Sequence, residues 1–238
     1  MSKRSKRYRE ISQLVEADKS YLPHEALELV KKTSKARFDE TVELSLNTSS
    51  DPKKSEQLVR GFVLLPHGTG RQIKIIAFAQ GDAAISAKDA GADYVSDDEL
   101  IKRIQKDNWI DFDLAIATSD MMPKIGKLGP TLGRRGLMPN PKTGTVVSSE
   151  NIASTIKDAK NGRAEFRMDG TAIIHAPIGK VSFDDKKLLD NLSVLIDAVM
   201  KTKPSGIKGD FISRAHLVTT MGPSIKLDLP STLALVVE

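Results

Sequence analysis

The sequence predicts a mixed architecture, α/β in its middle and α+β at both ends, and three patterns carry that expectation. Between Gln72 and Lys160 apolar strands alternate with helical segments, which implies a parallel sheet covered by helices in a compact Rossmann-like unit of about ninety residues. On either side the pattern is that of half-exposed strands whose residues alternate inward and outward. The simplest chain path inserts the middle into a body built from both ends, entering near Pro66 to Gly70 and leaving near Asn161 and Gly162. Two adjacent crossings of this kind make a hinge, with Pro66, Gly68, Gly70, Asn161 and Gly162 as its residues.

Each element follows from its own spacing. Tyr8 to Asp18 places Tyr8, Ile11, Leu14 and Val15 on one helical face, and Pro23 stands where a first helical turn tolerates it, ahead of Ala26, Leu27 and Val30. Thr41 to Asn47 alternates, with Val42, Leu44 and Leu46 inward and Thr41, Glu43, Ser45 and Asn47 outward. Arg60 to Leu65 reads as a second strand, closed by Pro66 and the Gly68-Thr69-Gly70 turn. In the middle, Ile73 to Ala79 is a continuously apolar strand, Asp82 to Ala90 and Asp97 to Lys106 are helical, and Leu114 to Ala117 is another buried strand. Asp120 opens a further helical stretch, a long basic loop follows, and Ser149 to Ala159 closes the unit as a helix. Beyond Gly162, Phe166 and Met168 point one way and Glu165 and Arg167 the other. Lys186 to Met200 is an amphipathic helix with Leu188, Leu189, Leu192, Leu195, Ile196 and Val199 inward, opened by a capping box of Ser182 and Asp185. Phe211 to Thr220 and Ser224 to Leu229 are strands separated by Met221-Gly222-Pro223.

Composition narrows the partners. Lys and Arg outnumber Asp and Glu by 36 to 31, and Lys3, Arg4, Lys6, Arg7 and Arg9 crowd the beginning, which suits a nucleic-acid partner. The absence of cysteine excludes a disulfide framework, a thiol nucleophile and a thiolate metal site, and permits a reducing compartment. The Asn-X-Ser triplets at Asn47 and Asn191 then read as chance. The longest apolar runs, such as Ile75 to Ala79 and Leu233 to Val237, fall far short of the roughly 20 residues a membrane span needs, so no membrane role is expected.

No catalytic or metal chemistry is legible. GxxxxGK[ST] is absent, and Gly126, Gly129, Gly133 and Gly136 lack GxGxxG spacing after a strand. His24, His67, His175 and His216 show no metal-ligand spacing, Asp97-Asp98-Glu99 suits a helix N-terminus, and Met121 and Met122 suit packing. Neither a cofactor nor a metal is expected; an enzyme using the middle unit as a nucleotide site is the runner-up reading, and a sequence-tolerant basic protein that coats DNA or RNA is the third.

Two regions read as RNA contacts. Gly126 to Gly144 carries Lys127, Arg134, Arg135 and Lys142 with no acidic residue between Asp120 and Glu150, and its glycines would let backbone amides approach phosphates. The alternative is an ordinary solvated loop. Arg37 and Phe38 precede a strand whose outer face holds Thr41 and Glu43; an exposed Glu repels phosphate but accepts from base edges or a ribose 2′-hydroxyl. Thr220-Met221-Gly222-Pro223 offers a flat backbone platform with one hydroxyl. A core Phe38 and a plain hairpin turn are the alternatives there.

These segments resemble the bacterial-type L-one family of large-subunit ribosomal proteins, nearly end to end. RFDETVEL at Arg37 to Leu44, DPKKSEQLVRGFVLLPHGTG at Asp51 to Gly70, GPTLGRRGLMPNPKTGTV at Gly129 to Val146 and TTMGPSIKLD at Thr219 to Asp228 carry the likeness. IIHAPIGKVSF at Ile173 to Phe183 and KPSGIKGDF at Lys203 to Phe211 add to it. The resemblance implies a split β-α-β, ferredoxin-like RNA-binding domain from residues 1–67 and 161–238, with a Rossmann-like three-layer α/β domain inserted at 68–160. It implies that large-subunit rRNA is held around Arg37, Phe38, Thr41, Glu43, Thr220, Met221 and Gly222, with the outward Arg167 added, and that Lys127, Arg134, Arg135 and Lys142 make a secondary contact with other RNA or exit-site tRNA. It also implies membership of the large ribosomal subunit, a mobile stalk at the tRNA exit site, repression of the protein's own mRNA, and a cytoplasmic ribosome, with an organelle of bacterial descent such as a plastid as the alternative. Off the ribosome a monomer is expected.

Overall fold

The computed structural model describes residues 5–16, 18–96, 98–207 and 209–235. Lys3 and Arg4 of the basic cluster, Asp97 of the expected helix start, and Val236 and Val237 of the last apolar run lie outside the described residues. The chain divides into two compact units: one takes the chain through Gly70 and again from Gly162, the other is Arg71–Asn161.

In the first unit, α1 (Lys6–Ser12) and α2 (Pro23–Thr33) precede β1 (Thr41–Thr48) and β2 (Arg60–Leu64). The second unit runs β3 (Ile75–Phe78), α3 (Asp82–Asp89), β4 (Tyr94–Val95), α4 (Asp98–Asp107), β5 (Leu114–Thr118), α5 (Met122–Ile125), α6 (Gly129–Arg134), β6 (Val146–Val147) and α7 (Ile152–Gly162). The chain then returns through β7 (Arg163–Met168), β8 (Ile173–Lys180), α8 (Asp185–Lys201), β9 (Ile212–Thr219), β10 (Ile225–Lys226) and α9 (Leu229–Leu233).

Six strands of the first unit form an antiparallel sheet in the order β10-β9-β1-β8-β7-β2. Along β1, Val42, Leu44 and Leu46 are buried and their outward neighbours are not, as the period of two requires. Helices α2 and α8 pack together on the inner face, where Ala26, Leu27, Leu188, Leu192 and Leu195 meet the strands. Gly61 on β2 stands opposite Phe166, and a Cβ there would lie 2.7 Å from the Phe166 ring, so the glycine makes room for the aromatic on the core side.

The second unit has three layers. Its parallel sheet, ordered β4-β3-β5-β6, buries Ile75 and Ala77 against α3 and α7 on one face and Ile76 and Phe78 against α4, α5 and α6 on the other. A strand buried on both faces reads as a continuous apolar run, which is why β3 shows no alternation.

Several expectations are corrected. Helix α1 stops at Ser12, so Leu14 and Val15 do not continue its face; Leu14 is exposed and only Ile11 of the helix is buried. The capping box does not form: Asp184 is the N-cap of α8, and Ser182 instead donates its backbone N–H and its hydroxyl to Asp39. The last strand is confined to Ile225 and Lys226, because Tyr21 pairs with Leu227 and Asp228 caps α9 through Ser231. The basic segment is not an open loop. Gly126–Leu128 is a 3-10 turn and Gly129–Arg134 is α6, with Leu128 and Leu132 fully buried. Five of its amides are also spent internally: the N–H groups of Gly129, Arg135, Gly136, Leu137 and Gly144 donate to carbonyls of the same segment. Only Gly136 and Gly144 of its five glycines have positive φ.

Candidate nucleic-acid interface

The two crossings between units are built from close backbone contacts inside the first unit. Gly68 and Gly162 touch so closely that a Cβ on Gly162 would fall 2.3 Å from the Gly68 Cα, and Gly162 has φ 126°. A Cβ on Gly70 would strike Lys180 and Phe183. These contacts draw Gly68 and Gly70 into the first unit, so the second begins at Arg71 and ends at Asn161 where the sequence suggested 68 and 160. Asn191, wholly buried on α8, donates to Gly68 O at 3.0 Å and Ile178 O at 2.8 Å and accepts from His67 N at 3.2 Å. Pro66 and Asn161 are exposed at the two crossings.

At the first residue of β1 two segments far apart in the chain meet. Thr41 N–H donates to Thr220 Oγ at 3.1 Å and Thr220 N–H donates to Thr41 O at 3.2 Å, although 179 residues separate them. Glu40, which is 1% exposed, ties the same two segments. Its Oε1 accepts from Ser34 Oγ at 2.6 Å and Ala36 N at 3.2 Å, and its Oε2 accepts from Met221 N at 2.9 Å. Burial pushes the Glu40 carboxyl up, but the hydrogen bonds from Ser34, Met221 and Ala36 act against it, and its pKa ends below the ordinary glutamate value.

Around this clamp Arg37, Phe38, Thr220 and Met221 are exposed; Phe38 is 54% and Met221 47% exposed, so neither is a core residue. Gly222 is half-buried, and a Cβ there would fall 2.2 Å from Thr219 Oγ, so a side chain would push the turn apart. Lys180 Nζ donates to Thr41 Oγ at 2.8 Å. A hydroxyl that accepts one bond internally retains its own proton, so Thr41 presents a donor outward. The same holds for Thr220, whose return contact to Thr41 O is 3.5 Å, at the limit of a hydrogen bond. Glu43 lies on the outward face of β1 with Oε1 3.5 Å from His175 Nδ1, and His175 also bonds Ser45 Oγ at 3.0 Å.

The open face of the sheet adds residues that sequence reading missed. One register row crosses all six strands: Lys226, His216, Ser45, His175, Arg167 and Arg60. All six are exposed or half-buried, and Arg167 thus joins a basic row rather than standing alone. Burial pushes the His216 pKa down, and Arg214 and Lys226 add to the shift, so this stretch already repels positive charge. The signal for Glu40 was present in the sequence. It stands two residues before Val42, on the inward side of the same alternation.

Lys127, Arg134, Arg135 and Lys142 are exposed in the second unit, and none of them forms an ion pair among the described residues. Lys142 follows a turn fixed by Asn140, whose Oδ1 accepts from Lys142 N and whose N–H donates to Thr145 Oγ, both at 2.8 Å. The side chains are available to an anion, whereas the amides of Gly129, Arg135, Gly136, Leu137, Lys142 and Gly144 are already bonded.

Comparison with known proteins places the chain among relatives. The chain is 52% identical over 233 residues to the large ribosomal subunit protein uL1 of Thermosipho africanus, covering 98% of this chain and 99% of that protein. It is likewise 52% identical over 229 residues to the protein of the same name from Fervidobacterium nodosum, covering 96% and 97% respectively. The family model for the ribosomal protein L1p/L10e family matches residues 30–223, a stretch that contains the Glu40 clamp, both crossings and the Thr220-Met221-Gly222 turn. With most of its length matched by that model and near-complete relatives at this identity, the chain belongs to the ribosomal protein L1p/L10e family.

Proposed function

We propose that this protein is a non-enzymatic, RNA-binding constituent of the large ribosomal subunit in the cytoplasm, and that it grips large-subunit rRNA through the first unit. The observation that carries this is the bolting of residues 34–41 to 219–222 by Glu40, Thr41 and Thr220, which leaves Phe38 and Met221 exposed on a pre-ordered surface. Pre-ordering matters because a surface already fixed loses little conformational entropy when it binds. Arg37 and Arg167 supply salt-dependent attraction, while Thr41, Glu43 and Thr220 address hydroxyls and base edges. The relatives' names place them in the large ribosomal subunit, which supports the same location here.

The finer parts of the reading follow from the family resemblance. The second unit swings at the crossings of Pro66, Gly68, Gly70, Asn161 and Gly162 as part of a stalk, and Lys127, Arg134, Arg135 and Lys142 touch other RNA or the deacylated tRNA leaving the exit site. The first unit represses the protein's own mRNA by binding a copy of the rRNA site in that message. The free protein is a monomer.

The test is a filter-binding competition between a folded large-subunit rRNA fragment and random duplex at matched salt. The unaltered chain prefers the fragment, and Thr220→Ala weakens that preference by about 1–3 kcal/mol while leaving random-duplex binding nearly unchanged. Equal loss on both RNAs, or no preference at the outset, would favour a sequence-tolerant coating protein.

A further inference from the structure

Strand β2 lies at one edge of the antiparallel sheet, three places from β1 in the strand order, and turns Arg60, Phe62 and Leu64 outward. Phe62 is 41% exposed and Leu64 44% exposed, a costly display of apolar surface on an edge strand. Beneath Phe62 lies Arg163, its guanidinium carbon 4.1 Å from the ring centroid and its side chain only 3% exposed. The ring therefore covers the cation and turns its other face to solvent. A cation against one face withdraws electron density from the ring, which favours an electron-rich planar group on the other.

The neighbours complete the pattern. Arg60 and Arg167 stand directly opposite each other on β2 and β7, and neither forms an ion pair among the described residues. Like charges opposite one another repel, and a shared anion removes that repulsion. Both line a shallow groove with Pro52, Leu58 and Asp169. Glu165, opposite Phe62 in register and 3.4 Å from Arg163, sets an acceptor beside the ring.

We propose that this corner is a second RNA contact, where an unpaired nucleobase stacks on the outer face of Phe62 and its backbone phosphate lies between Arg60 and Arg167. Glu165 accepts a hydrogen from the edge of that base. The assignment rests on the reading that the chain binds large-subunit rRNA, and it adds a single-stranded or bulged nucleotide to the structure recognised.

A tryptophan reporter tests it. Trp109 is the chain's one tryptophan, so Trp109→Phe gives a silent background into which Phe62→Trp is placed. On titration with the rRNA fragment, the emission of the introduced indole is quenched along the same curve as filter binding. Phe62→Leu, which keeps an apolar cover over Arg163, weakens binding about tenfold, and Phe62→Tyr restores it. Replacing Arg60 and Arg167 together by Ala lowers the salt-dependence slope by about one. Unquenched emission at saturation, or Phe62→Leu binding like the unaltered chain while the fragment is still preferred over random duplex, overturns this contact alone. Loss of that preference in the unaltered chain overturns the broader reading with it.

Discussion

A carboxylate that is 1% exposed persists only where its oxygens are bonded, and Glu40 meets that condition with donors from two segments far apart in the chain. Glu40→Gln keeps the shape but turns an amide NH₂ toward donors, so the fold should lose about 1–3 kcal/mol and affinity for the rRNA fragment should fall with it. The folded pKa of Glu40 is below its ordinary 4.5, so the carboxylate binds fewer protons in the native state. Its contribution is complete above that ordinary value and disappears as pH falls through the lower folded one. Urea midpoints of Glu40→Gln should thus depend less on acid than those of the unaltered chain. Equal acid dependence of both would remove Glu40 from the clamp.

At the scale of elements, the basic segment shows how a local rule can mislead. Glycines and prolines at Gly126, Gly129, Pro130 and Gly133 suggest a loop, yet Pro130 opens α6 from within its first turn, where its missing N–H costs nothing. The stronger signal was the spacing of Ile125, Leu128 and Leu132, all fully buried, three and then four residues apart. Leu132→Ala should therefore destabilise the second unit by about 2–5 kcal/mol in urea unfolding while sparing affinity for the rRNA fragment, since it empties core volume distant in sequence from the clamp. A loss under about 0.5 kcal/mol would fit a solvated loop instead. The long strands and α8 were legible because whole turns of apolar residues recur in them. Strands β4 and β6 were not, being two residues each and held by their neighbours in the sheet.

At the scale of the whole molecule, charge and contact need to be separated. Arg134 and Arg135 are adjacent exposed cations of the second unit, but the pre-ordered surface belongs to the first. Changing both to Ala should leave affinity for the isolated rRNA fragment within about twofold, as only long-range attraction is lost, and should disturb only function on the intact particle, where the proposed secondary contact is made. A large loss on the fragment would move the main contact to this segment. By itself the amino-acid order determined the periods of its strands and helices, hence the antiparallel sheet at the ends, the doubly covered parallel sheet in the middle, and the outward positions of Thr41, Glu43 and Arg167. Only the tertiary structure decided that Glu40 meets Met221 and that Lys226, His216, Ser45, His175, Arg167 and Arg60 fall in one row. Periodicity is a property of neighbours along the chain, whereas a buried hydrogen bond or a cross-strand row depends on register between segments more than a hundred residues apart, which no local spacing encodes.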